Sequence, residues 1–149
     1  NASSISDGAS ALVVASEWAV REHTLTPMAT VLAHSRFSRA PEEFTLAPVG
    51  AIESLLKKTG WQAGDVDLWE INEAFAMVTM LSMKAFDLDH ARVNVHGGAC
   101  AQGHPIGSTG SRIIITLMHA LRHYGKQRGV AALCIGGGEA TAIAIEITH

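Results

Sequence analysis

Three apolar, strand-like runs are each followed by a stretch with helical spacing, and two more strand-like runs close the chain. This alternation constrains the fold more than any other feature. Residues 29–34, 66–71 and 93–95 read as strands, and 48–59, 73–86 and 106–124 as the helices after them. Val49, Ile52, Leu55 and Leu56 share one helical face, with Gly60 as a stop signal. The stretch 73–86 is apolar almost all round, which predicts a buried helix with Met77, Met80 and Met83 as core filling. In the last helix Ile113, Leu117, Leu121 and Tyr124 fall in register. Residues 129–134 and 141–147 flank Gly136-Gly137-Gly138, and so short a connection requires an antiparallel pair. The pattern is that of an α/β fold, a mostly parallel sheet with helices on its faces. Residues 9–15 read as a further strand with no evident partner in the chain, which points to a partner upstream of Asn1, and 17–23 as a short helix.

At 149 residues, 48% hydrophobic and 17% charged, the chain suffices for one well-cored domain. No apolar run approaches the roughly 20 residues of a membrane helix, so no membrane is expected as partner. Eleven basic and fourteen acidic residues give a net charge of −3, with no Lys/Arg cluster, which argues against nucleic acid. Cys100 and Cys134 are too few for a disulfide framework and suit a reducing compartment, with the cytoplasm as the expected location. The first residue is Asn1, not Met, so the chain need not begin where its gene begins.

Eight of the fourteen glycines lie in two places, Gly97, Gly98, Gly103, Gly107 and Gly110, then Gly136 to Gly138. Glycines packed this way let backbone approach backbone or ligand and turn N–H groups inward. Both stretches follow predicted strands, and α/β folds place their sites at that edge of the sheet. In Gly97-Gly98-Ala99-Cys100-Ala101-Gln102-Gly103-His104-Pro105-Ile106-Gly107, Pro105 suits the first position of a helix. His104 then sits at the helix N-terminus, whose dipole opposes an imidazolium. It is either a cap or a neutral imidazole able to take a proton or to donate to an oxyanion. Cys134 leaves a strand into the triple glycine, either as a packed core thiol or as a thiol placed to exchange a proton. Asn72-Glu73-Ala74-Phe75 stands at a strand–helix junction. Asn72 is a helix cap or an amide holding a water or a carbonyl. Glu73 is a solvated carboxylate or a buried partner of a donor.

Phosphate-cradling patterns are absent: no Lys-Ser/Thr follows the glycines and neither stretch contains G-x-G-x-x-G. His96, Cys100, His104 and Cys134 are zinc-ligand types, but their spacing matches no closed structural pattern, and no metal is expected. Cys100 reads as a small buried hydrophobe.

Together and in this order, Asn72-Glu73-Ala74-Phe75, the run from Asn94 through His104-Pro105-Ile106-Gly107 to Arg112, and Cys134-x-Gly-Gly-Gly resemble the three C-terminal signatures of the thiolase family. Asn1-Ala2-Ser3 with Asp7-Gly8 resembles the segment that closes that family's N-terminal domain. The resemblance covers essentially the whole chain. It implies a five-stranded mixed sheet of order 3-2-1-4-5, last strand antiparallel and helices on both faces. Residues 1–26 would be the tail of the preceding domain and 27–149 the C-terminal domain.

The implied reaction is reversible Claisen condensation of acyl-CoA, acetyl-CoA to acetoacetyl-CoA, or thiolysis of a 3-ketoacyl-CoA. Coenzyme A thioester is the substrate, with no separate cofactor. His104 would activate the nucleophilic cysteine and, with a water held by Asn72, form an oxyanion hole. Cys134 would move the α-carbon proton, and the Gly136 N–H would serve a second oxyanion hole. Ala2, Ser3, Ala74 and Phe75 match positions lining the pantetheine channel. Ser108-Thr109 and Ser111 stand where the family more often has Ala-Ser and Ala around Gly110, small-for-small changes, and Cys100 replaces an aliphatic residue. Neither cysteine matches the family's nucleophile, which belongs to an N-terminal domain. The chain alone is therefore expected to be inactive, and the intact protein to be a homodimer or homotetramer. The rival readings are a non-catalytic CoA-binding or assembly module and a metal-binding α/β domain.

Overall fold

In the computed structural model, residues 1–148 are described, and four strands form one mixed sheet. In chain order the elements are α1 (Glu17–Glu22), β1 (Ala29–Ser38), α2 (Ala47–Thr59), β2 (Leu68–Ile71), α3 (Ala76–Phe86), α4 (Ala99–Gln102), α5 (Ile106–His123), β3 (Arg128–Cys134) and β4 (Glu139–Ile147). The sheet runs β1-β4-β3-β2. β2 and β3 are parallel, with Ile71 opposite Ala132, and β4 is antiparallel to both its neighbours.

Strand alternation sorts side chains into two layers. Val130, Ala132 and Cys134 of β3 pack with Ala140, Ala142 and Ala144 of β4, with Trp69 and Ile71, and with Ala51, Ile52 and Leu55 of α2. Ala131 and Ile145 turn the other way, onto Ile113, Leu117 and Leu121 of α5. Helices thus cover both faces. The C-terminal ends of β2 and β3 bring Asn72 and the Cys134–Gly138 turn to one edge, because Asn72 N–H donates to the Ala132 carbonyl at 2.9 Å.

The expected strand order needs correcting. The first strand is not central but lies at the edge, outside β4. Composition explains why. β1 alternates exposed His34, Arg36 and Ser38 with buried or half-buried residues, as an edge strand with one solvated face does, whereas β3, paired on both sides, is nearly continuously buried. The expected strand at 93–95 shrinks to one bridge, Val93 to Trp69, on the free side of β2. Beyond it Asn94 turns left-handed at φ 47°, and its side-chain amide pairs with Ile71 N and O at 2.8 Å each, standing in for a strand. Residues 9–15 form no strand.

The helix expected from residue 73 begins at Ala76. The segment before it is held extended by the N-terminal stretch: Ala2 bridges Phe75, Ser3 N–H donates to the Ala74 carbonyl at 3.1 Å, and Ala76 N–H donates to the Asn1 carbonyl at 2.9 Å. α3 is buried on one side only, through Val78, Thr79 and Ser82. Met77 and Met80 are exposed, a correction to their reading as core filling, since nothing in the described chain covers that face. Cys100 is also exposed rather than buried.

Candidate active site

Three loops meet at the sheet edge. The first follows β2. Asn72 is buried, at 2% exposure, and stands four residues before α3, so it caps no helix. Its Oδ1 accepts from Arg112 Nη2 at 3.2 Å, while its Nδ2 is buried with no acceptor among the described residues. Glu73 proves to be a partner of donors. Its Oε2 accepts Cys100 N–H at 3.0 Å and its Oε1 the Asn94 amide at 3.2 Å. A side chain at Gly98 would run into that carboxylate, which is why the loop passes there as glycine.

The second loop carries His104. Gly103, at φ +93°, turns the chain against Ser6. The His104 N–H then donates to the Ser4 carbonyl at 2.8 Å. The ring does not cap α5. Its Nδ1 lies 2.7 Å from Thr109 Oγ1, and Thr109 donates its single proton to the Pro105 carbonyl at 3.1 Å. With the proton on that carbonyl the hydroxyl oxygen accepts from Nδ1–H, the tautomer in which Nε2 keeps its lone pair. Burial lowers the proton affinity of His104 below the ordinary value of 6.5, and the Arg112 cation lowers it further. The imidazole is neutral at pH 7, the form a base requires.

The third loop is the turn after β3. Cys134 is buried, and burial raises its thiol above the ordinary value of 9.0, so the group rests as a thiol. Gly136 is exposed in the turn, and its N–H has no acceptor among the described residues. No hydrogen bond joins Cys134 to His104 or Asn72 among the described residues. What they share is the C-terminal edge of β2 and β3, with Cys134 two residues beyond the carbonyl that receives the Asn72 N–H.

The expected channel residues are adjacent: Ala2 pairs with Phe75, and Ser3 Oγ donates to the Ala74 carbonyl at 3.1 Å. Cavities of about 600 and 150 Å³ lie elsewhere, the larger along the outer edge of β2 between Arg92, Val95 and Lys126.

Arg112, Thr109 and Glu70 belong to this cluster and were not singled out from sequence for roles. Glu70 is buried at 3% exposure, and burial pushes its carboxyl up to about 8 even though the Arg112 guanidinium draws it down. One signal was available. Arg112 is the only Lys, Arg, Asp or Glu between Arg92 and Arg122, a lone charge in an otherwise uncharged stretch.

This geometry and the order of the three loops define a thiolase C-terminal domain. The family model for "Thiolase, C-terminal domain" matches residues 25–147, and the chain belongs to the thiolase family. Among curated relatives it is 48% identical over 146 residues to an acetyl-CoA acetyltransferase of Schizosaccharomyces pombe, covering 98% of this chain and 37% of that protein. It is 46% identical over 148 residues to the mitochondrial 3-ketoacyl-CoA thiolase of Mus musculus, covering 99% and 37%. The chain thus spans little more than a third of the length of these curated relatives. The solved structure of human mitochondrial 3-ketoacyl-CoA thiolase superposes with a TM-score of 0.87 at 43% identity, over 91% of this chain and 34% of that one. The Acat5 thiolase of Ascaris suum, solved with coenzyme A, gives 0.85 at 46%, over 90% and 35%.

Proposed function

We propose that this chain is the C-terminal part of an enzyme that makes and cleaves the carbon–carbon bond of 3-ketoacyl-CoA, with acetyl-CoA and acetoacetyl-CoA as the preferred pair. Residues 1–26 would close a preceding domain, and 27–149 form the C-terminal one. The observation that carries this reading is a pair of polar groups near one sheet edge: the Asn72 Nδ2 donor, buried without an acceptor, and the His104 ring, held through Nδ1 by Thr109.

The chemistry needs both. A thioester α-proton is removed by a thiolate only if the enolate oxygen meets preorganised donors, each lowering the barrier by about 3 kcal/mol. Neutral His104 first takes the proton of the nucleophilic cysteine, which lies outside these 149 residues. The imidazolium so formed is the donor that, with a water on Asn72 Nδ2, stabilises the enolate oxygen. Cys134, as a thiol, protonates the α-carbon in cleavage and, as a thiolate, deprotonates it in condensation. The free Gly136 N–H stabilises the tetrahedral oxygen on the acylated nucleophile. A covalent acyl-enzyme divides one hard step into two easier ones. Ala2, Ser3, Ala74 and Phe75 line the path of the pantetheine arm. Coenzyme A thioester is substrate, and the reaction calls on no further cofactor.

The isolated chain is expected to be inactive, and the intact protein to assemble as a homodimer or homotetramer. No helix of the described residues is long and apolar enough to cross a membrane. Relatives named for the cytosol and for the mitochondrion both match, so cell fractionation is the test of the cytoplasmic assignment.

The full-length gene product tests the activity, by acetoacetyl-CoA formation and thiolysis. His104→Ala and Cys134→Ala should each lower the rate by about 10²–10⁴-fold. Near-wild-type turnover by either variant would overturn the role given to that residue.

A further inference from the structure

The Asn72 amide has two faces of nearly equal shape, and only one presents a donor to the reacting thioester. Arg112, in the second turn of α5, decides which. A guanidinium carries donors only, whereas a side-chain amide carries an acceptor oxygen and a donor nitrogen. The contact of Arg112 Nη2 with Asn72 Oδ1, 3.2 Å, therefore holds the amide one way round. Turning it by 180° would set the NH2 group against N–H donors and lose the hydrogen bond. With the oxygen so engaged, Nδ2 becomes the buried donor without an acceptor.

The guanidinium is not claimed by another charge. The ion pairs among the described residues are Arg21–Glu17, Arg39–Glu43, Lys57–Glu53 and Arg128–Glu146, and Arg112 takes part in none. Its Nε and Nη1 are buried without acceptors. Glu70, the nearby carboxyl, is kept protonated by burial at neutral pH.

We propose that Arg112 is a positioning residue for the condensation site: by donating to Asn72 Oδ1 it fixes the side of that amide on which Nδ2 lies, and so the direction of the donor that holds the water or thioester oxygen. This inference rests on the function proposed above.

The test uses the full-length protein with Arg112→Lys and Arg112→Gln. An ammonium, like a guanidinium, only donates, so the lysine variant keeps the amide oriented. A glutamine can offer either its oxygen or its nitrogen and releases that orientation. Arg112→Gln should lower kcat roughly tenfold or more with KM within about twofold, while Arg112→Lys stays within about threefold of wild type. In an Asn72→Ala background, Arg112→Gln should cost nothing further, because the group it positions is gone. Equal losses in the two Arg112 variants, or costs that multiply in that background, would overturn the proposal. Should Arg112→Gln fail to fold, Arg112→Lys and neutron crystal structures, which distinguish the amide oxygen from its NH2, still decide. Asn72 Oδ1 should face residue 112 in wild type and Arg112→Lys, and any other orientation there contradicts the inference. Failure of the broader reading is distinct: the wild-type protein would neither condense acetyl-CoA nor cleave acetoacetyl-CoA, while the crystal structures still report the amide.

Discussion

The two faces of β2 are built from alternate residues of one short strand, and they do opposite things. Trp69 and Ile71 enter a predominantly apolar layer, where the alanines at 132, 140, 142 and 144 let α2 approach the sheet closely. Leu68 turns the other way, into the apolar layer under α5. Glu70 and Asn72 share its parity on the strand, and they meet the charge of Arg112 from α5. One face spends its burial on packing, the other on polar groups that burial makes costly. On the proposed function the α5 side of β2 is the working face and the α2 side its foundation.

Substitutions on the two faces should separate stability from activity. The largest stability effect belongs to Trp69, which is fully buried and stacks on Phe86 with ring centroids 6.3 Å apart. Trp69→Ala should cost about 3–5 kcal/mol in urea unfolding, and a loss below about 1 kcal/mol would show that this face is not the foundation. Glu70 sharpens the contrast through pH. The folded protein keeps its proton up to about 8, whereas the unfolded chain releases it near 4.5. Between those values the native state holds more protons, so stability falls as pH rises and levels off above about 8. Glu70→Gln should remove that slope and stabilise the protein at pH 8 by on the order of 3 kcal/mol; unchanged melting profiles from pH 5 to 9 would contradict it. Thr109→Val takes the acceptor from His104 Nδ1 and should cost about 1–3 kcal/mol, with a fall in kcat larger than the fall in stability predicts. The smallest effect should come at Cys100, exposed outside both layers. There Cys100→Ser should change stability by less than about 0.5 kcal/mol and leave turnover unaltered.

The legible parts of this molecule are those set by local pattern. The stripe of Ile113, Leu117 and Leu121 predicts α5 to within a residue or two, and the triple glycine predicts the β3–β4 reversal. What stayed hidden depended on distant partners. The central place of β1 came with the family resemblance and not from its residues, and only its pairing with β4 reveals an edge. α3 begins at Ala76 because Asn1 to Ser3 hold Ala74 and Phe75 extended, across about seventy residues of chain. Met77 and Met80 read as buried because periodicity reports an apolar face without reporting what covers it. At the site, His104, Asn72 and Cys134 were visible as residue types in glycine-rich settings. The contact of the His104 ring with Thr109, in place of a cap on α5, and the orientation of Asn72 against Arg112 both depend on residues that no local pattern pairs.

The polar edge can be examined with substrate in place. A crystal structure of the full-length protein with acetoacetyl-CoA should put the thioester oxygen at hydrogen-bond distance, about 2.7–3.2 Å, from His104 Nε2 and from a water held by Asn72 Nδ2. A thioester bound with its oxygen turned away from both side chains, in a protein that still turns over, would contradict the account.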